Sequence, residues 1–315
     1  MQQQLGQVRL NQGRTDEALR LFEISQRIDP DFCDVKFNIA NALIKKKDIG
    51  GAVAKFRESL HCTYTTTRAW ESLRQIWQFG IESNPKNATL YEEMADTMAT
   101  MGGKHVESAT LYYREAGVLL MKHGNSNKML TESLIMFRKG LKLRPERCDL
   151  NYWSAIVYRK RLEQGYKKIW RDKMLRFFDL ALKPHCNDTA LSVANELLGL
   201  FDKNDYVRIA KTLDRLIVAR PDVKSSYART LSSYWEEAAR SSLSDDHDTL
   251  RAARFYSNSI KYGASYASCS SFEAASILSE SLPHDSDIRF EINGKVLDTK
   301  SLESIARECK AGLVS

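Results

Sequence analysis

The sequence predicts an all-α protein with the architecture of an α-solenoid, a stack of repeated helical hairpins. Gly and Pro are sparse, at 15 and 6 of 315 residues. Val, Ile and Thr do not form alternating runs, which disfavours a β-sandwich or barrel. The chain also repeats itself after 34 residues. A fixed period of this length is typical of repeat architectures.

The composition indicates a folded protein rather than a disordered one. Hydrophobic residues make up 43% and charged residues 28%, a balance that is ordinary for globular proteins. The sequence contains no apolar run of about 18 residues and no secretory-signal pattern. We therefore predict no membrane association and a cytoplasmic location, with a nuclear one left open.

The six cysteines lie far apart, without a C-x-x-C motif and without a histidine at ligand spacing. This pattern predicts free thiols in a reducing compartment and argues against a zinc site. The cysteines are Cys33, Cys62, Cys148, Cys186, Cys269 and Cys309.

The 34-residue period is clearest near the start of the chain. Five positions recur there as similar residues: Leu5 and Ile39, Gly6 and Ala40, Ala18 and Ala52, Phe22 and Phe56, Ser25 and Ser59. The spacing of Ala18, Phe22 and Ser25 places all three on one helical face. Because the outer two are small, a second helix can approach closely, and the phenylalanine fills the space between them.

Helix-ending residues divide each repeat into two helices. Gly13 follows the first helical run and suits a left-handed helix end, and Pro30 follows the second run. The repeat unit is therefore a helical hairpin. The segments QLGQVRLNQGRTDEALRLFEISQRIDP (4–30) and FNIANALIKKKDIGGAVAKFRESL (37–60) resemble the tetratricopeptide repeat (TPR) family. The resemblance implies a right-handed superhelix. Within the family, the chain is most similar to the superhelical members that bind peptides.

Looser copies extend the resemblance to residues 1–263, as about six to eight imperfect repeats. We expect a capping helix at 264–283. In the remaining segment, 284–315, Asn293-Gly294 indicates a two-residue β-hairpin turn and Thr299–Lys310 a short capped helix.

Two parts of the chain do not fit the repeat. Trp70 resembles the aromatic that opens a unit, but Pro85 follows after only fifteen residues. Either a helix is missing, or Trp77 and Gly80 belong to a second helix with a degenerate partner. At the start, Met1 aligns with the third repeat position, so we expect the chain to be a fragment or an incomplete gene product.

The motifs of catalysis are absent from the sequence. The six histidines are scattered, and there is no G-x-S-x-G, H-E-x-x-H, P-loop or G-x-G-x-x-G motif. Asp245, Asp246, His247 and Asp248 have a metal-like composition, but four consecutive residues do not converge on one ion, which favours a solvated loop. The sequence thus predicts no enzyme activity, no cofactor and no metal.

Amide side chains recur on the first helix of each unit. Gln4 and Gln7 correspond to Asn38 and Asn41, again 34 residues apart. Carboxamides both donate and accept hydrogen bonds, so such a row can hold the main chain of an extended peptide. The pattern is similar to the asparagine ladder of the TPR repeats of protein O-linked N-acetylglucosamine transferase. The alternative interpretation is a solvated helix face.

Basic residues are concentrated in the middle of the chain. Residues 120–185 contain sixteen Lys and Arg against six Asp and Glu, a net charge of +10, whereas the whole chain has +7. Aromatic residues such as Tyr152, Trp153 and Tyr166 are interleaved with them. This mixture suits an acidic protein segment or a nucleic acid. The alternative is a solvated basic surface over core aromatics.

These patterns predict a non-catalytic protein-interaction scaffold that binds an extended peptide or helix of a partner protein. The candidate peptide-binding residues are Gln4, Gln7, Asn38, Asn41, Lys45, Arg159 and Lys160. Two alternatives stay open: RNA binding through the basic middle third, and a regulatory TPR arm of a longer enzyme such as a glycosyltransferase. The sequence does not predict the oligomeric state.

Overall fold

A computed structural model describes residues 1–62, 65–124, 126–165, 167–200, 205–244, 248–262, 265–283 and 286–311. These residues form sixteen α-helices and one pair of short antiparallel strands. The first eight helices are α1 (Gln2–Asn11), α2 (Thr15–Ile28), α3 (Cys33–Lys45), α4 (Ile49–Ser59), α5 (Thr66–Ser83), α6 (Ala88–Met101), α7 (Val106–His123) and α8 (Asn127–Leu143).

The second half continues in the same way. Its helices are α9 (Cys148–Gln164), α10 (Lys168–Ala181), α11 (Asn187–Leu198), α12 (Tyr206–Ala219), α13 (Lys224–Ser244), α14 (Thr249–Ile260), α15 (Cys269–Ser281) and α16 (Thr299–Lys310), with β1 (Glu291–Ile292) and β2 (Lys295–Val296) before the last helix. Within the described residues, none of these helices has the length and apolar character needed to cross a membrane.

The chain divides into two compact units. Unit 1 comprises Met1–Glu146 and Arg159–Tyr166, and unit 2 comprises Arg147–Tyr158 and Lys167–Ser315. Within unit 1, consecutive helices from α1 to α8 pack against each other. In unit 2 the same holds for consecutive helices from α10 to α16. The prediction of an all-helical fold built from sequential helix pairs is confirmed.

The two clearest sequence repeats form the hairpins α1–α2 and α3–α4. Phe22 and Phe56 occupy equivalent places in them and are 0% and 1% exposed. The ring of Phe56 meets Phe37 edge to face, with centroids 5.4 Å apart. Burying an aromatic side chain of this size is among the largest single contributions to a core. The periodic phenylalanine therefore anchors each hairpin, as its spacing predicts.

The segment that did not fit the repeat is one helix of 18 residues, α5. Both Trp70 and Trp77 lie in it, so Trp70 does not open a separate first helix. Trp77 is fully buried and Trp70 packs beside it, with ring centroids 6.5 Å apart. Pro85 lies just beyond the end of α5, which explains why it comes so soon after Trp70.

Helix α7 takes part in two hairpins at once. It packs against α6 before it and α8 after it. Tyr113, in its middle, reaches back to α6, where its hydroxyl donates to Asp96 Oδ1 at 2.6 Å. Gly117, four residues later, lies directly against the ring of Phe137 on α8. One helix of 18 residues therefore packs on both of its neighbours, through different residues.

The core of unit 2 runs from α12 to α16. Trp235 on α13 stacks on Phe255 on α14, with ring centroids 5.3 Å apart. The C-terminal segment joins the same core through Phe290 and Leu302. Strands β1 and β2 pair in the register Ile292 to Lys295. The two residues of the turn both have positive φ, as the predicted Asn-Gly turn requires.

The interpretation of six free thiols is wrong for this structure. All six cysteines form disulfides: Cys33 with Cys62, Cys148 with Cys186, and Cys269 with Cys309. In each pair one cysteine is the first residue of a helix. Of their partners, Cys309 lies in the last turn of the next helix, Cys62 just after the next helix ends, and Cys186 in the turn before α11. Each disulfide therefore ties the start of a helix to a later segment of the chain.

Candidate binding surfaces

The amide residues form two stripes on neighbouring helices of unit 1. Gln4, Gln7 and Asn11 are spaced i, i+3 and i+7 on α1, and this spacing places them on one face. On α3, Asn38, Asn41 and Lys45 have the same spacing. We call the carboxamides of these two stripes the amide surface; its residues are Gln4, Gln7, Asn11, Asn38 and Asn41.

A hydrogen bond joins the ends of the two helices that carry the stripes. Lys45 Nζ donates to the main-chain oxygen of Leu10 at 3.0 Å. Leu10 is in the last turn of α1, where carbonyl groups lack partners within the helix and a cation is favourable. Lys45 is thus used inside the protein, as a cap for α1, and its contact aligns α3 with α1.

The carboxamides differ in what they contact. Gln7 Nε2 donates to Asn11 Oδ1 at 3.1 Å along α1. Asn38 and Asn41 are half-buried, and among the described residues neither side chain makes a hydrogen bond. Half-buried amides without a protein partner retain their capacity to donate and accept. Gln4 is exposed and likewise makes no hydrogen bond among the described residues, so Gln4, Asn38 and Asn41 are the available members of the amide surface.

A charged cluster that the sequence did not reveal joins α6, α7 and α8. Lys139 Nζ lies 2.8 Å from Glu92 Oε1 and 2.9 Å from Asp96 Oδ1. Burial acts to lower the pKa of Lys139, but the hydrogen bonds to Glu92 and Asp96 outweigh it and raise the pKa. Burial, together with the hydrogen bond to Asp96, raises the pKa of Tyr113. Lys139 is therefore protonated near neutral pH and is not a nucleophile.

A cleft of about 280 Å³ lies beside this cluster, between α4 and α6. Arg57 forms one wall and is fixed there: its Nε donates to Thr97 Oγ1 at 3.1 Å, and its Nη2 donates to the main-chain oxygen of Glu93 at 3.0 Å. His61, Asp96 and Thr97 contribute further polar groups. The sequence does not predict this cleft, because Arg57 and Thr97 lie 40 residues apart and form no motif.

The other two basic residues predicted for peptide binding, Arg159 and Lys160, also have contacts within unit 1. Lys160 Nζ donates to the main-chain oxygen of Met121 at 3.3 Å, near the end of α7. This repeats the contact of Lys45 with α1. Arg159 Nε lies 3.4 Å from Glu163 Oε1, one turn further along α9. Neither arrangement tests peptide binding, which stays a prediction for both residues.

Further basic residues of the middle third are exposed on α10 in unit 2. Lys168, Arg171 and Arg176 are exposed and form no ion pair with another described residue. The apolar side of the same helix buries Met174 and Phe178. The core accounts for Phe178, and the exposed charges of Lys168, Arg171 and Arg176 remain available. Tyr166 lies outside the described residues.

A network of hydroxyl groups surrounds one buried carboxylate in unit 2. Glu236 is 6% exposed, and it accepts hydrogen bonds from Ser268 Oγ and Ser270 Oγ, each at 2.6 Å. Burial alone would raise the pKa of Glu236, but these hydrogen bonds and the charge of Arg240 lower it. The carboxylate therefore stays ionised and joins α13 to the start of α15.

One histidine lies beside a disulfide. A ring nitrogen of His185 and the sulfur atoms of Cys148 and Cys186 are all within 4.8 Å of one another. His185 is exposed, Cys148 half-buried and Cys186 buried. Residues 245–247 of the Asp-His stretch lie outside the described residues, whereas Asp248 caps α14 by accepting from Arg251 N at 2.9 Å.

The class of protein follows from this packing: it is an all-helical protein of sequential helix pairs. No protein-family model and no curated protein sequence matches the chain. Its structural neighbours are TPR proteins. They include a thermophilic TPR protein of Thermus thermophilus, with 17% identity and a TM-score of 0.26 over 73% of this chain and 97% of that one.

Two further solved structures are similar at the same level. The TPR domain of P58(IPK) has 14% identity and a TM-score of 0.21 over 99% of this chain and 98% of that one. A human IFIT1 dimer with m7Gppp-AAAA has 17% identity and a TM-score of 0.28 over 88% of this chain and 71% of that one. Because these similarities are weak, they indicate nothing about the partners of this chain. The fold class rests on the helix packing.

Proposed function

We propose that the protein is a non-catalytic scaffold that binds an extended peptide segment of a partner protein on the amide surface. The observation that carries the proposal is the hydrogen bond from Lys45 to the carbonyl of Leu10. It joins the C-terminal ends of α1 and α3, the two helices that carry the amide stripes, and so supports a single peptide contacting both.

The chemistry of the surface suits a peptide main chain. An extended peptide presents N–H and C=O groups that have no partner within the peptide, and each carboxamide can pair with both kinds of group. Asn38 and Asn41 on α3 and Gln4 on α1 have no hydrogen-bond partner among the described residues and are available for this role. Because the main chain is common to all sequences, the surface would hold many different peptides and select among them through neighbouring pockets.

The test uses a library of unstructured peptides displayed on phage, selected against the full chain. We expect binding of an enriched peptide to fall about tenfold or more in the double variant Asn38→Ala/Asn41→Ala, because each lost hydrogen bond contributes about 1 kcal/mol. The matched control is Gln75→Ala/Gln78→Ala, which also removes two amides three residues apart, from an exposed face of α5.

Two outcomes would contradict the proposal. The first is that no peptide is enriched over several rounds of selection. The second is that both double variants bind an enriched peptide as tightly as the wild type. Circular dichroism of each variant verifies that the helical content is unchanged.

A second candidate is supported by the exposed charges of α10. Lys168, Arg171 and Arg176 would attract an acidic protein segment by long-range electrostatics. In this case Arg171→Glu/Arg176→Glu should weaken binding of a poly-glutamate peptide, and the loss should be greatest at low salt. If a single-stranded RNA binds and the poly-glutamate peptide does not, the RNA alternative replaces this candidate.

A further inference from the structure

The arrangement of Cys148, Cys186 and His185 suggests a function beyond cross-linking two helices. The three donor atoms come together although Cys148 and Cys186 are separated by 38 residues in sequence. Cys148 is the first residue of α9, and His185 and Cys186 occupy the turn that precedes α11. Two sulfur atoms and an imidazole nitrogen are the ligands that Zn²⁺ prefers in proteins.

From this geometry we infer that the reduced protein binds a thiophilic divalent cation, Zn²⁺, through Cys148, Cys186 and His185. In the oxidised protein the two sulfur atoms are bonded to each other and are not available as thiolates. The site thus has two alternative states, a disulfide and a metal complex, and both hold the start of α9 against the turn before α11.

The conversion is chemically balanced. A dithiol reductant gives two electrons and two protons to the Cys148–Cys186 disulfide and is itself oxidised to a disulfide. The cation then binds both sulfur atoms as thiolates, and the two thiol protons pass to solvent. With zinc–sulfur bonds of about 2.3 Å, a tetrahedral site needs sulfur atoms about 3.8 Å apart. Rotation of the two cysteine side chains provides this separation, because the Cα atoms are already 5.5 Å apart.

The surroundings favour access by a cation. His185 is exposed, so its ring can turn toward the sulfur atoms without disturbing the core, whereas Cys186 is 2% exposed and fixes the inner ligand. Three protein ligands leave the fourth tetrahedral position to water or to an external donor.

The chain contains a natural control. His61 stands immediately before Cys62, as His185 stands before Cys186. Among the described residues, however, His61 does not join Cys33 and Cys62 in a group of converging donor atoms. In both sites a histidine immediately precedes a disulfide cysteine. Of the two histidines, only His185 lies within 4.8 Å of both sulfur atoms. A metal that merely binds reduced cysteines would not distinguish them.

The experiment titrates the full chain with Co²⁺ and follows the visible and near-ultraviolet bands of tetrahedral cobalt thiolate. The protein is compared in its oxidised form and after reduction by a phosphine. The phosphine and one water molecule convert each disulfide to two thiols and the phosphine oxide, with water supplying the oxygen and both thiol protons. We expect no bands from the oxidised protein. After reduction, the bands should saturate with one cobalt per chain at this site, and Zn²⁺ should displace it.

The variants decide which residues bind the ion. Cys148→Ser should abolish the bands, and His185→Ala should weaken cobalt binding more than tenfold, whereas His61→Ala should leave it unchanged. Equal effects of the two histidine variants, or bands that survive Cys148→Ser, would overturn the inference. So would a reduced protein that loses its helical circular-dichroism signal and does not regain it with Co²⁺, because the site needs residues 148 and 186 in their folded positions.

Discussion

The ring of Phe22 lies so close to Gly6 that a Cβ atom on Gly6 would be 2.6 Å from Cε1 of the ring. The same relationship recurs between Gly117 and Phe137, on α7 and α8. In both hairpins the missing side chain of the first helix makes room for the aromatic ring of the second. Glycine is required here by the close approach of two helices rather than by its backbone angles.

The first prediction concerns Gly117→Ala. The added methyl group would overlap the Phe137 ring, which is 0% exposed. Because the ring has no space to move, we expect the free energy of unfolding to fall by about 1–3 kcal/mol in urea denaturation. The control is Gly50→Ala near the start of α4, where the nearest atom is 4.0 Å away. This variant should be neutral or slightly stabilising; equal losses in the two variants would refute the packing argument.

The second prediction concerns Phe56→Ala. Phe56 is 1% exposed and contacts Phe37, so its removal leaves a cavity within the α3–α4 hairpin. We expect a loss of about 3–5 kcal/mol in the free energy of unfolding. Phe79→Ala removes a ring that is 71% exposed and should change stability by no more than about 0.5 kcal/mol. An unchanged denaturation midpoint for Phe56→Ala would be incompatible with the hairpin.

The third prediction is a pH dependence of stability from Glu236. Its pKa in the folded protein is lowered from its ordinary value, which is about 4.3 in an unfolded chain. The stability it contributes is therefore fully present above about pH 4.3 and is lost as the pH falls through the folded pKa. In urea denaturation from about pH 6 to pH 3, the wild type should lose more stability than Glu236→Gln. Ser268→Ala, which removes one donor, should reduce this difference; identical pH profiles of the wild type and Glu236→Gln would contradict the assignment.

The fourth prediction concerns the disulfide between Cys33 and Cys62. Their separation of 29 residues restricts the unfolded chain, so Cys33→Ser/Cys62→Ser should lower the free energy of unfolding by about 2–5 kcal/mol. The reduced wild type should have a lower free energy of unfolding than the unreduced variant. Reduction breaks all three disulfides, whereas the variant lacks only one. If the reductant has no effect on the wild type, and free-thiol titration finds six thiols in the native protein, the disulfides are absent in solution.

The repeat itself could be predicted from sequence because small and aromatic residues recur at fixed spacing. Phe22 and Phe56 identified both N-terminal hairpins, and Thr299–Lys310 is the helix that its capping pattern predicted. The repeat around Pro85 could not be assigned, because helix α5 is long enough to hold Trp70 and Trp77 together. Nor does the sequence show that α7 serves two hairpins, since Tyr113 and Gly117 face different neighbours.

The candidate binding residues stay a prediction, and the contacts that they make within the protein could not be predicted, for a physical reason. Lys45 and Lys160 have the composition of ligand-binding residues, but each donates to a main-chain carbonyl near the end of a helix 35 or more residues earlier. Main-chain partners leave no mark in a sequence. The same applies to the disulfides, whose long separations carry no motif. The cytoplasmic location stays a prediction, and disulfides persist mainly in oxidising compartments.

The central claim is that Asn38 and Asn41 hold the main chain of a bound peptide. Nuclear magnetic resonance of the side-chain amides tests it most directly, with an enriched peptide added to the isotope-labelled full chain. We predict that the side-chain N–H₂ resonances of Asn38 and Asn41 shift and become protected from exchange, while those of Gln75 and Gln78 do not change. If the shifts are confined to α10 and the α3 amides are unaffected, the amide surface is not the binding site.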